Sequence, residues 1–147
     1  MLQKRISYIL ITVSFIVFTI DIFQKTAYSP DDTYIYMQYA KNIAAGSGFS
    51  FNPGEGSYGV TSPLWVLLLT IPYFFGVDGY WFSKVLDLLA ALAAIAVFFR
   101  FSKIFFTSND LLRYAATAVF ILNAWFIRWA FTGMETSFAV LLVLCIF

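Results

Sequence analysis

Two adjacent carboxylates, Asp31 and Asp32, follow directly on Ser29 and Pro30, just past the first long apolar stretch of the chain. Such side chains can take a proton from an attacking hydroxyl as a general base, hold a hard divalent cation through oxygen, or do both. The same four residues also spell a helix start, with Ser29 as N-cap, Pro30 at the first helical position and two acids in the positively polarised first turn. A cap needs only one acid. In a helical projection at about 100° per residue, Asp32 falls on the side of Tyr36, Tyr39, Ala40 and Ile43, whereas Asp31 falls with Tyr34, Gln38, Lys41 and Asn42. A carboxylate on an apolar face wants a partner.

A second chemically capable cluster is Thr132-Gly133-Met134-Glu135. Thr132 and Glu135 fit a capping box, and Glu135 could equally face a site; Arg128 nearby is a candidate salt partner for it, or a cation for the phosphate of a lipid-linked substrate. Asp87 falls about two turns into an apolar run, where an ionisable group is costly and is by default a functional hypothesis. Lys84 precedes it by three residues, so an i,i+3 pair with a snorkelling lysine is the plainer account. The turn-rich stretch from Gly46 to Gly59, which carries Glu55, can offer backbone amides to a phosphate. The chain contains no histidine, which excludes a Ser/His/Asp triad and His-ligated zinc from these residues, and its lone Cys145 has no disulfide partner. Nine basic and eight acidic residues, a net charge of +1, give no nucleic-acid surface.

The elements that must position these residues follow from composition. The chain is 61% hydrophobic and 12% charged, with a mean hydropathy of +0.82, far more apolar than a water-soluble domain. Apolar runs mark spans over about 6–23, 81–99, 111–127 and 137–147, the last too short to cross, so the sequence reads as the truncated front part of something longer. Lys4 and Arg5 before the first run put the N-terminus in the cytoplasm, and Arg100, Lys103 and Arg113 fall on the same side if the short run 63–75 does not cross. Between lies an outward loop, 24–80, with interfacial helices over about 30–45, ending at Gly46, and 63–75, beginning at Pro63. The expected fold is an all-α integral membrane protein, a multi-span helical bundle with an outward loop of juxtamembrane helices.

The run DDTYIYMQYAKNIAAGSGFSFNPGEGSYGVTSPLW, followed after the third span by TGMET, resembles the first outward loop of bacterial GT-C membrane glycosyltransferases, near their arabinofuranosyl- and mannosyltransferase-like branches. The likeness reaches from Asp31 to Thr136 and rests on an ordered set: an acidic pair, an aromatic-rich helix, a G-x-G-x-x-F-N-P-G-E turn and a Y-G-x-T-S-P-L-W exit. It implies transfer of a sugar from a polyprenyl-phosphate carrier to a glycan, lipid or protein acceptor on the extracytoplasmic face of a bacterial plasma membrane, with inversion at the anomeric carbon. Asp31 or Asp32 would be the catalytic carboxylate, and Glu55, Tyr58, Thr61, Arg128 and Glu135 would contact substrate. Some relatives use a divalent metal at this loop, and Asp31 with Asp32 is compatible with weak, water-rich Mg²⁺ or Mn²⁺ ligation. Such enzymes have many more spans, so these residues alone are expected to be inactive. The alternative is a non-catalytic polytopic membrane protein, such as a flippase, transporter subunit or assembly factor, whose acids merely cap helices.

Overall fold

Helix-forming runs punctuated by Gly, Pro and Asn give a chain that is helical almost throughout. The structure, a computed structural model, describes residues 2–57 and 59–146. Its helices are α1 (Leu2–Gln24), α2 (Asp31–Ala44), α3 (Pro63–Phe74), α4 (Gly79–Phe105), α5 (Asp110–Ile121), α6 (Ala124–Trp129) and α7 (Thr136–Ile146). Among the described residues the only β pairing is one antiparallel bridge, Ser50 to Gly56, inside the loop after α2.

Two helices are long and apolar enough to cross a membrane, α1 with 23 residues and α4 with 27. In α1 the usual polarity is inverted. Ile9, Val13, Ile16 and Ile20 are exposed, while Ser7 and Ser14 are buried and donate to the carbonyls of Gln3 and Leu10, four residues back. Apolar residues outside and self-satisfied hydroxyls inside suit a hydrocarbon solvent. α4 runs beyond the expected 81–99 at both ends. Asp78 caps its start by accepting from the Tyr80 amide at 2.8 Å, and Arg100 and Lys103 ride on the last turns, where long cationic stems reach polar surroundings without breaking the helix.

The expected span 111–127 is not one helix. α5 stops at Ile121 after 12 residues, and Asn123 restarts the chain as α6 by accepting from the amides of Trp125 and Phe126, both at 3.1 Å. An Asn side chain that satisfies the first amides of a new helix competes with continuation of the old one. Neither piece is long enough to cross alone. The short helix α3 matches its expectation, with Pro63 at its first position.

Two apolar clusters hold the elements together. Phe18 of α1, Ala91, Ala94 and Ile95 of α4, Ile121 of α5 and Phe126 and Ala130 around α6 form one, the alanines letting neighbouring backbones approach closely. Tyr36, Tyr39 and Ala40 of α2 pack on Trp65, Val66 and Leu69 of α3 and on Met134 to form the other.

α4 joins the clusters through a buried acid and a buried base. Lys84 and Asp87 are both 0% exposed, so Lys84 does not snorkel, and the two make no ion pair within 4.0 Å of each other. Each instead binds backbone. The Lys84 ammonium donates to the carbonyls of Tyr28 at 2.5 Å, Phe131 at 3.3 Å and Lys25 at 3.4 Å, with the Tyr80 and Phe131 rings 5.2 and 5.3 Å away. One oxygen of Asp87 accepts from the amides of Thr132 at 2.9 Å and Gly133 at 3.1 Å. Burial at these positions serves capture of main chain, because i,i+3 proximity on a helix leaves each side chain free to reach a different loop. Asp87→Ala would strand two buried amides. The expected cost is about 2–5 kcal/mol, read as a lowered midpoint of chemical denaturation relative to the parent protein.

Candidate functional site

The site is built where the start of α2, the exit of its following loop and the turn before α7 meet. α2 begins at Asp31 with Pro30 as its N-cap residue, and no side chain caps it. Ser29 is therefore not the expected cap. Its hydroxyl donates to the Thr132 carbonyl at 2.9 Å, joined at 3.4 Å by Thr33, because that carbonyl on the pinned turn is closer at hand than the helix amides. Asp31 and Asp32 are left to compensate the helix dipole in the first turn. Both are exposed, whereas Thr33 and Tyr36 behind them are buried, so Asp32, although on the apolar side of the helix, keeps its hydration.

Tyr36, one turn after Asp32, is the centre of the site. Its hydroxyl lies 2.8 Å from the Thr61 hydroxyl and donates to a Glu135 carboxylate oxygen at 3.0 Å. An ionised carboxylate only accepts and a phenol has a single proton, so with Tyr36 donating to Glu135 the Thr61 hydroxyl donates to Tyr36. The second Glu135 oxygen is buried with no hydrogen-bond partner among the described residues. Glu135 also lines a cavity of about 130 Å³ between α3 and α7, with Ser62, Trp65 and Phe138. Burial pushes the Tyr36 phenol above its ordinary 10.0; the Thr61 hydrogen bond pulls against this, and the negative charges of Glu135 and then Asp32 push the same way as burial.

Glu135 is delivered by an unusual turn rather than by the expected capping box. Phe131 and Gly133 have positive φ of 69° and 87°, and the Thr132 hydroxyl donates back to the Trp129 carbonyl at 2.8 Å and accepts from the Met134 amide at 3.4 Å, two residues before α7 begins, so it does not cap that helix. Besides Asp87, the Trp65 indole holds this turn by donating to the Gly133 carbonyl at 3.1 Å. Thr61 is delivered by α2 itself. Asn42, expected on the polar face, is buried and donates to the carbonyls of Ser50 and Phe51 at 2.9 and 2.8 Å. The Tyr39 hydroxyl lies 2.5 Å from the Ser57 hydroxyl and accepts from the Gly59 amide at 3.0 Å. The loop is folded back onto the helix it left.

Of the residues expected at the site, Thr61 and Glu135 are brought together, with Asp31 and Asp32 at the adjacent helix start. Glu55 is exposed and accepts from the Asn52 amide group at 3.1 Å inside its own turn, away from this cluster. Tyr58 lies outside the described residues. Arg128 forms no ion pair with Glu135; it is exposed at the end of α6, with its guanidinium 5.6 Å from the Trp129 ring and 6.0 Å from Trp125, its own helix neighbours. Tyr36 went unnoticed as a site residue because an aromatic on an apolar helix face reads as an anchor; its i,i+4 relation to Asp32 was the available signal. Adjacent helical positions diverge by about 100°, and among the described residues no three Asp, Glu, His or Cys side chains gather at one point.

Tyr36→Phe keeps the ring and removes the bridge, and is expected to cost about 1–3 kcal/mol by leaving Glu135 without its donor. The sign of the accompanying pH effect follows from the raised phenol: the stability tied to its neutral form is complete below pH 10.0 and is lost as pH rises through the higher folded value. Denaturation midpoints measured across that alkaline window should therefore fall less steeply in Tyr36→Phe. At Gly133 an added Cβ would sit 2.6 Å from the Ser83 hydroxyl and 2.9 Å from a Thr33 methyl in a left-handed backbone, whereas at Gly46, φ 78°, it meets nothing within 4 Å. Gly133→Ala should lower the unfolding midpoint well beyond Gly46→Ala, for which only the backbone cost of about 1 kcal/mol applies. Compared with known proteins, the chain matches no family model, no curated protein and no solved structure.

Proposed function

We propose that this chain belongs to a multi-span, GT-C-type glycosyltransferase of a bacterial plasma membrane, moving a sugar from a polyprenyl-phosphate carrier to an acceptor on the extracytoplasmic face. The observation that carries the reading is the meeting of three segments far apart in sequence. Thr61 of the GVTSPLW exit and Glu135 of TGMET meet at the hydroxyl of Tyr36, in the helix that Asp31 and Asp32 begin. Those are the segments on which the sequence resemblance rests. The two crossing-length helices and the inverted polarity of α1 support a membrane setting, with Lys4 and Arg5 favouring a cytoplasmic N-terminus.

In this reading the acceptor hydroxyl oxygen bonds to the anomeric carbon as its proton passes to the carboxylate of Asp31 or Asp32. The bond from that carbon to the carrier phosphate breaks on the opposite face, the phosphate leaving with the electron pair and the configuration inverting. The carboxylates are exposed, as a base that meets a diffusing substrate must be. Glu135, Thr61 and Tyr36 hold the adjoining surface in one geometry, so that the reacting groups meet at fixed positions.

A second reading is favoured by one observation: α2 lacks a side-chain cap, so its two acids have a structural task at the dipole alone. A non-catalytic membrane protein would need nothing more of them. Single Asp31→Asn and Asp32→Asn variants of the full-length protein, assayed for transfer from a polyprenyl-phosphate sugar, decide the matter. Loss of turnover by about 10²- to 10⁴-fold in at least one variant is expected; unchanged turnover in both, at equal expression, leaves the structural reading.

A further inference from the structure

Between α2 and the turn joining α3 to α4 lies a cleft of about 490 Å³, separate from the Tyr36 cluster. Five of its lining residues carry polar side chains: Tyr34, Gln38 and Lys41 on the α2 wall, and Tyr73 and Asp78 opposite. Met37 and Val77 supply apolar surface between them. Tyr34, Gln38 and Lys41 recur at helical spacing on the stripe of α2 that Asp31 begins, so the acid stands one turn before the cleft on the same face. We propose that this cleft binds a neutral saccharide, which, on the glycosyltransferase reading above, is the acceptor whose hydroxyl is presented to Asp31.

The lining selects that chemistry. Lys41 offers three donors and Asp78 offers acceptors, the phenols of Tyr34 and Tyr73 can do both, and Gln38, whose amide nitrogen donates to Asn42 at 3.4 Å and to the Phe51 carbonyl at 3.3 Å, offers its carbonyl oxygen. A polyol, in which every hydroxyl both donates and accepts, matches such a mixed set. Lys41 and Asp78 cancel in charge and make no ion pair within 4.0 Å of each other or of any other residue among those described, so both remain available to a ligand. An anion is poorly served. The single ammonium is offset by Asp78, and the positive end of α4 at this edge is already occupied by the Asp78 carboxylate, which accepts from the Tyr80 amide. A purely apolar ligand is equally disfavoured, because it would desolvate the carboxylate, the ammonium and the amide without replacing their hydrogen bonds. Tyr34, half exposed, stacks on Tyr80 at 6.2 Å and 24°, and Tyr80 meets Trp81 edge-on at 5.3 Å, forming an aromatic border against which the C–H face of a sugar ring can lie. The cleft falls within the volume range of small-molecule sites.

The test is saturation-transfer NMR on the full-length protein in detergent, with a panel of methyl glycosides of mannose, glucose, galactose and arabinose as probes and inorganic phosphate as competitor. At least one glycoside should show saturation transfer in the parent protein. The signal should fall at least threefold in Gln38→Leu/Lys41→Met, and in Asp78→Asn, which keeps an oxygen for the Tyr80 amide and so guards against a folding artefact. Phosphate should not compete. Absence of signal from every glycoside, equal signal in both variants, or displacement by phosphate overturns the proposal. Binding is read without turnover, so the two ideas fail separately: activity lost in Asp31→Asn with glycoside binding indifferent to the cleft variants removes the subsite and leaves the enzyme. Activity untouched in both acid variants removes the enzyme, whatever the cleft binds.

Discussion

A carboxylate and an ammonium, one helical turn apart on α4 and both withdrawn from solvent, set the geometry of everything around them. Neither neutralises the other directly. Asp87 takes two consecutive amides of the turn before α7, and Lys84 takes carbonyls from that turn and from the segment between α1 and α2. A buried charge is tolerable only where hydrogen bonds replace its hydration, so these two side chains fix the main chain that supplies the bonds. Two irregular segments thereby gain the definition that regular secondary structure would otherwise provide.

From that constraint the candidate site follows in steps. The amides of Thr132 and Gly133 point at Asp87, which leaves their carbonyls directed outward, where Ser29 and Thr33 bind the first and the Trp65 indole the second. α2 and α3 are thus docked on the same turn from two sides. Glu135, two residues on, can then stand only near the face of α2 that carries Tyr36, and Thr61, returned by the loop that Asn42 and Tyr39 hold, closes the cluster. The functional side chains owe their proximity to backbone atoms more than to one another.

Much of the local structure was legible in the sequence. The limits of α2 follow from Pro30 and from Gly46 at φ 78°, and the apolar run after Pro63 gives a short helix of 12 residues. Less was legible where a side chain had several possible partners. Ser29 and Thr132 carry the signatures of helix caps, yet both hydroxyls go to carbonyls, because long-range docking offered acceptors that local pattern cannot foresee. Asn123 sits inside an apolar run whose hydropathy conceals the break it makes. The i,i+3 spacing of Lys84 and Asp87 told that they share a face and nothing of what lies opposite. The acidic pair stands exposed at the start of α2, while the phenol that bonds Glu135 is hidden in the sequence among aromatics that serve as bulk.

The two crossing-length helices also differ in what they demand of their neighbours. The buried hydroxyls of α1 are satisfied by its own carbonyls, so in a bilayer this helix is complete as soon as it forms. α4 is not: its acid and its base find their partners only in the chain that leaves α1 and in the chain that enters α7, the latter synthesised more than forty residues later. The first helix is self-sufficient in these hydrogen bonds, whereas the second has its base and its acid satisfied only once the chain on both sides of it has folded against Lys84 and Asp87.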